Sequence, residues 1–303
     1  MPIPYDHYRI FYHVAKYHSF TRAAAVLMNS QPNITRTMNE LERQLGCRLF
    51  LRSNRGVTLT PEGERLYAHV AAAVEQLQAG EAELAGGRGL AEGRVAVGTS
   101  ELGLYGLLLP VLRQFRKLHP GVSVRVTNQT TGQSVAAVKS GAVDLAVVAA
   151  PTGASRPLSE TPLVEFRDIL AAGPRFRHLA QGVHSLRELA ELPFVSIGPE
   201  TQTFRFYDGL FARYGLALQP EVETATTDQI LPMLRSDLGL GLLPEGFARE
   251  ALEKGEVFRV MLEEELPPRY ICLVKDRSRP LSMAALELER MLCAAGRAQG
   301  RWG

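Results

Sequence analysis

Gln31, Thr35, Arg36 and Asn39 recur three or four residues apart, opposite a stripe made by Ile34, Met38, Leu41 and Leu45. On a helix this spacing buries the apolar stripe and leaves amides, a hydroxyl and a guanidinium side by side in solvent. Such groups supply hydrogen-bonding forks rather than a nucleophile. Arg36 can grip guanine through two bonds, and Gln31 or Asn39 can pair likewise with adenine. Pro32 and Asn33 complete the same helix start. Arg52 and Arg55 sit around a turn between two short apolar runs, where cations suit phosphates better than bases. Arg43 and Arg48 read equally well as partners of Glu40, Glu42 or solvent.

A second set of groups lies far downstream. Hydroxyls cluster at the ends of predicted strands: Thr99-Ser100, Thr130-Thr131, Thr201-Gln202-Thr203 and Thr226-Thr227. Beside free N–H groups at helix N-termini they can hold an anion without a buried cation, although each can equally be a simple N-cap. Thr99, Ser100, Thr130, Thr131, Thr201, Gln202 and Thr227 are therefore the candidate ligand contacts. Arg205 reads better as a surface ion-pair partner. No catalytic or metal site is expected: GxxxxGK[ST], HExxH and CxxC are absent, Gly132 to Ala136 misses a GxSxG elbow at its last position, and the histidines lack ligand spacing. Cys47, Cys272 and Cys293 are few and far apart and lie outside the cleft segments, which argues against a disulfide framework or a thiol sensor.

The elements that must position these groups follow from pattern. Residues 1–60 hold 8 Lys/Arg against 3 Asp/Glu, whereas the rest holds 26 against 29, so a basic module precedes a slightly acidic body. Tyr8, Phe11, Val14 and Ala15 mark a first helix ending near His18-Ser19. Ser19 or Thr21 can cap a small second helix, and Asn29-Ser30 turns into a third opened by Gln31-Pro32 and closed by Gly46. The run LFLRSNRGVTLT then reads as a hairpin with a basic tip. This is a winged helix-turn-helix pattern.

The segment SFTRAAAVLMNSQPNITRTMNELERQLGCRLFLRSNRGVTLTPEG resembles the N-terminal signature of LysR-type transcriptional regulators: SFT-x-AA, SQP opening the recognition helix, LE-x-x-LG, LF-x-R and RGV-x-LT-x-x-G. The match runs without gaps over roughly forty residues and is far more specific than a generic helix-turn-helix. Asn33 and Thr35 replace the usual Ala and Ser, which puts a typical base preference in doubt. Asp237 stands where glycine is common before LGLGLLP, which puts the local turn in doubt.

Thr60-Pro61-Glu62 begins a long helix to about Leu84, with Leu66, Val70, Ala73, Leu77 and Leu84 on a stripe broken at Gly80. It can pack on its own domain, or, as the resemblance implies, dimerise two modules. Gly86 to Gly89 reads as a hinge. Beyond it, RVAVGT, VSVRVT and VDLAVV alternate with helices as βαβαβ, hence a parallel sheet, and a second α/β set follows with LPFVSIG, PEVETAT and LGLGLLP before YICLVK and a last helix.

The expected architecture is thus an α/β protein with a winged helix-turn-helix at 1–60 and a linker helix at 61–88. For residues 89–303 the alternation implies two α/β lobes with a cleft between them, about 93–161 plus 268–303, and 162–267, and the resemblance implies the family's type 2 periplasmic-binding-protein-like domain there. The resemblance implies promoter DNA, a second copy in a dimer or dimer of dimers, and a small metabolite of anionic character as partners, with RNA polymerase a further one, and no cofactor. A start lacking a basic and apolar leader, and no apolar run near ~18 residues, point to the cytoplasm and away from membranes. A constitutive DNA-binding protein without effector is the alternative. A solute-binding protein fits poorly because of the fused basic module, and an enzyme because of the missing signatures.

Overall fold

The chain opens with α1 (Tyr5–Tyr17), α2 (Phe20–Val26) and α3 (Gln31–Leu45). The computed structural model describes residues 3–53, 56–85 and 93–303, and the chain divides between residues 87 and 88 into two units. Each helix boundary has a local cause. His18 turns left-handed after α1, Ser19 Oγ accepts from the Arg22 N–H at 3.2 Å, and Ser30 Oγ accepts from the Asn33 N–H at 3.4 Å. Gly46, with φ 69°, ends α3. The buried stripe of α3 is Ile34, Met38 and Leu41, whereas Leu45 is partly exposed at its end.

The wing follows as β1 (Phe50–Ser53) and β2 (Gly56–Leu59), antiparallel with Phe50 opposite Leu59. Glu42 Oε1 accepts from the N–H groups of Leu49 and Phe50 at 2.7 and 3.1 Å, which pins the wing to the recognition helix. Phe50 lies between Phe11 and Phe20, with ring centroids 5.3 and 5.8 Å away. The linker helix α4 (Pro61–Ala85) is capped by Thr60, whose hydroxyl accepts from Gly63 N–H at 3.0 Å. Its sequence stripe splits in two. Val70 and Val74 are buried in the core of this unit with Leu66 and Tyr67 beside them, while Ala73 and Leu77 face outward, Leu77 at 48% exposure. The expected hinge at residues 86–89 lies outside the described residues.

In the second unit, β3 (Gly93–Thr99) leads into α5 (Glu101–Gly103), a π-helical turn (Leu104–Leu108) and α6 (Leu109–Leu118). β4 (Val122–Asn128), α7 (Thr131–Ser140), β5 (Leu145–Ala149) and β6 (Leu158–Phe166) complete the outward pass of the first lobe. The second lobe contains β7 (Asp168–Ala172), β8 (Val183–His184), α8 (Leu186–Leu189), β9 (Val195–Ile197), α9 (Gln202–Ala212) and β10 (Val222–Thr224). It closes with a 3-10 turn (Thr227–Gln229), α10 (Ile230–Arg235), β11 (Leu240–Pro244), α11 (Glu245–Glu253) and β12 (Phe258–Leu262). The chain then returns through β13 (Arg269–Asp276), α12 (Met283–Gln299) and β14 (Arg301–Trp302).

The parallel pairing expected for RVAVGT, VSVRVT and VDLAVV is found, within a sheet that is mixed as a whole. The first lobe has strand order β14-β6-β13-β5-β3-β4; β3, β4 and β5 are parallel, but β13 runs antiparallel to both β5 and β6. A strand returning from the other lobe enters the sheet from the far end, so its direction is reversed. The second lobe has the order β11-β7-β12-β8, with β11 and β12 antiparallel to β7, beside the parallel pair β9 and β10. The outward crossover lies at Arg167, beyond the expected 161/162 boundary, because β6 pairs along its length with β13. Each sheet is covered on both faces. In the first lobe Leu107, Phe115 and Leu288 cover one side and Val135 and Val138 the other. Asp237 does take the glycine-like conformation, with φ 60°, and its carboxylate accepts from Arg175 N–H at 2.7 Å. No helix among the described residues is long and apolar enough to cross a membrane.

Both crossovers meet at one ion pair. Arg269, first in β13, reaches Asp168, first in β7, at 3.0 Å, with side chains 3% and 2% exposed. The same guanidinium donates to Ala150 O, to Tyr207 Oη and to Thr203 Oγ1, and lies against the rings of Phe166, Phe206 and Tyr207.

Two outcomes test this description. A Cβ on Gly63 would stand 2.2 Å from the Leu49 carbonyl oxygen, so Gly63→Ala should destabilise the N-terminal unit by about 1 to 3 kcal/mol, read as a lower urea midpoint. Asp168→Ala leaves Arg269 buried without its counter-ion and should cost about 3 to 5 kcal/mol in chemical denaturation. An Asp168→Ala protein as stable as the parent would mean that the pair does not hold the lobes.

Candidate nucleic-acid interface and effector cleft

In the first unit the exposed face of α3 places Gln31, Pro32, Thr35, Arg36, Asn39, Glu40 and Arg43 around one open groove. Its start is tied down from both sides. Gln31 Oε1 accepts from the Thr21 hydroxyl at 3.2 Å, and Asn33 Nδ2 donates to Asn29 Oδ1 at 2.9 Å, so the amides enter the surface already oriented. Asn29 Oδ1 also accepts from Ser30 N–H at 2.8 Å. Asn33 is exposed but does not line the groove, and its amide is tied to the turn.

The cations on this face are not equivalent. Arg43 grips Glu40 with both arms, at 2.9 and 2.5 Å, and Gln44 adds a third bond. The hydrogen bonds from Arg43 and then Gln44 hold the Glu40 carboxyl down to about 2, so the pair is fully ionised and self-neutralised near pH 7. Arg36 is exposed and forms no ion pair with a described residue. Arg52 belongs to β1, opposite Val57, and Arg55 lies outside the described residues. Charge available to a ligand on the α3 face therefore centres on Arg36.

In the second unit a cleft between the lobes is lined by Ser100, Thr130, Thr131, Thr201, Gln202 and Thr227, together with Glu101, Thr203, Thr226 and Arg269. The lobes touch across it where α5 meets the turn at Thr227–Gln229.

The hydroxyls divide by local role. Thr130 forms a capping box with Gln133, and Thr201 Oγ1 accepts from Phe204 N–H at 3.1 Å while donating to Gly198 O at 2.8 Å. Thr131 Oγ1 donates to Ala149 O at 3.3 Å, and Ser100 Oγ accepts from the N–H groups of Gly103 and Ala149. These bonds aim the starts of α7 and α9 at the cavity. The expectation for Thr99 is corrected: its side chain is fully buried, its hydroxyl donates to Val147 O at 2.8 Å, and it does not line the cavity. It ties β3 to β5. Arg205 is exposed and forms no ion pair with a described residue, so neither the surface ion pair nor a place in the pocket is seen. Cys272 is buried in β13, and burial pushes its thiol up, opposite to an activated thiolate.

Two charged residues in the cleft escaped the sequence reading. Arg269 is a lone cation opening the apolar strand YICLVK, a signal of the right kind but without anything to place it. Glu101 directly follows Ser100 and is only 7% exposed. Burial raises its pKa and the charge of Asp228 adds to the rise, against bonds from its own backbone N–H and from Asn128.

Comparison with known proteins bears on both units. Residues 5–64 match the model of the bacterial regulatory helix-turn-helix protein, lysR family, and residues 88–296 match the LysR substrate binding domain. The transcriptional regulator AbaB of Streptomyces antibioticus is 34% identical over 95% of this chain and 97% of its own length. The uncharacterised regulator YnfL of Escherichia coli (strain K12) is 30% identical over 94% and 96%. Full-length CbnR, solved in complex with its target DNA, superposes with a TM-score of 0.68 at 17% identity, covering 98% of this chain and 100% of that one. A winged recognition helix and a two-lobed, effector-binding body in one chain, each matched by its own domain model, make this protein a DNA-binding transcriptional regulator of the LysR family and not an enzyme.

Proposed function

We propose that α3 enters the major groove and that Arg36 reads guanine there, with Gln31 or Asn39 on adenine and Pro32, Asn33 and Thr35 shaping the helix start. The observation that carries this is the contrast on one face between Arg36, exposed and unpaired among the described residues, and Arg43, neutralised by Glu40. Arg52 and Arg55 hold phosphates and supply affinity rather than sequence information. CbnR, solved with its target DNA, is consistent with this use of the fold.

In the same reading residues 1–60 bind DNA, 61–88 dimerise the chain, and 89–303 bind the effector and build the higher oligomer, a dimer of dimers. The outward side of α4, with Ala73 and Leu77, supports a partner helix, because a second copy would cover the half of the stripe that the unit's own core leaves in solvent. Two recognition helices about one DNA turn apart then read an interrupted dyad in the cytoplasm, within reach of RNA polymerase. A small metabolite bearing an anionic group, held by the starts of α7 and α9, shifts the lobes between closed and open forms and so changes the spacing of the DNA-binding modules.

Arg36→Ala should lose about 1 to 3 kcal/mol of discrimination at one base pair, measured as the ratio of specific to random DNA affinity. An unchanged ratio would remove Arg36 from base readout. Arg52→Ala should weaken all sequences alike and flatten the salt slope. Leu77→Glu should shift the full-length protein toward monomer in sedimentation velocity while leaving its melting temperature near the parent's, since Leu77 lies outside the core formed by Val70 and Val74. An unaltered dimer would place the interface elsewhere.

A further inference from the structure

Resting on the cleft as the effector site, we infer that its ligand is a small amino-acid-like zwitterion, its cationic group on Glu101 and its carboxylate on the opposing donors. The inference begins from a charge imbalance. Glu101 lines the cavity with only 7% of its surface exposed. No described cation pairs with it. Arg269 lines the same cavity, but its charge is already matched by Asp168. The walls therefore carry one uncompensated buried carboxylate, with Asp228 close enough to add repulsion.

A buried carboxylate without a counter-ion is unfavourable, and an ammonium or guanidinium brought against it removes that penalty. A purely anionic ligand would worsen the imbalance. The remaining polar groups have the opposite preference. α7 and α9 both begin at the cavity, with Thr131 and Gln202 in their first turns, and their N-terminal N–H groups favour negative charge. Arg269 Nη2 has two hydrogens and Thr203 takes one, which leaves a second donor on a guanidinium that lines the cavity. A ligand with one carboxylate and one cationic group satisfies both sets, whereas a simple acid or a simple amine satisfies only one.

The test uses the full-length protein, with thermal shift and calorimetry against the standard amino acids, β-alanine and 4-aminobutyrate, each beside its deaminated acid and its decarboxylated amine. At least one amino acid should bind about tenfold to a hundredfold tighter than both of its truncated analogues, the range of one lost charge-assisted bond. Glu101→Gln should erase a similar factor without lowering the ligand-free melting temperature. If a matched acid binds as tightly as its amino acid, if Glu101→Gln leaves affinity unchanged or improves it, or if no compound in the panel binds, the zwitterion assignment is overturned. The cleft itself is tested separately with Thr131→Trp, or with Thr227→Phe should the first not fold. Binding that survives a filled cavity overturns the site, whereas loss of binding in these variants alone leaves the site standing whatever the ligand class.

Discussion

The effector half of this protein depends on one buried ion pair. Arg269 and Asp168 each open a strand at a crossover between the lobes, so their contact fixes where the two sheets meet. A buried pair is a poor source of net stability, because desolvation offsets much of its attraction, but breaking it is expensive. Its effect is thus to specify one arrangement. The other donors of the guanidinium spread that constraint to Ala150, Tyr207 and Thr203, and burial together with the Asp168 charge pushes the Tyr207 hydroxyl pKa well above its ordinary value. Tyr207 therefore remains a neutral donor and acceptor at the junction throughout the ordinary pH range.

The DNA-binding half is organised differently, by short-range bonds between neighbours in sequence. Ser19, Ser30 and Thr60 cap α2, α3 and α4, Asn29 turns the chain and holds Asn33, and Glu42 fastens the wing. These bonds span three to eight residues, and the bond from Thr21 that orients Gln31 spans ten. Such a unit fixes the orientation of its surface groups locally, which suits a surface that must present Arg36 and its neighbouring amides before DNA arrives. The cleft does the reverse: its groups come from residues 100–149, 197–244 and 269, and they meet only because the chain crosses twice between lobes.

This difference explains what could be read in advance. The helix-turn-helix, the wing and the linker helix were legible because their caps, glycines and apolar stripes lie within windows of a few residues. The hydroxyl clusters at helix starts were legible for the same reason. Thr99 was misread because a threonine at a strand end looks alike whether its hydroxyl meets a ligand or a neighbouring strand's carbonyl, and Val147, 48 residues away, decides that. The parallel order of β3, β4 and β5 was legible from their alternation with helices, whereas the direction of β13 was not, because strand direction after a long excursion has no local signature.

The amino-acid order alone determined the identity of each half, the boundaries of α1, α2 and α3 to within a few residues, and the set of groups able to face DNA. Those properties rest on periodicity and capping, which act between near neighbours. The tertiary structure decided which stripe of α4 is spent on its own core, which of the α3 arginines is neutralised, and which charges share the cleft. Glu101 and Arg269 are 168 positions apart in sequence, and only the double crossover puts them on one cavity wall. Burial then gives each its meaning, since a carboxylate that would be unremarkable in water becomes a demand for a cation once water is excluded.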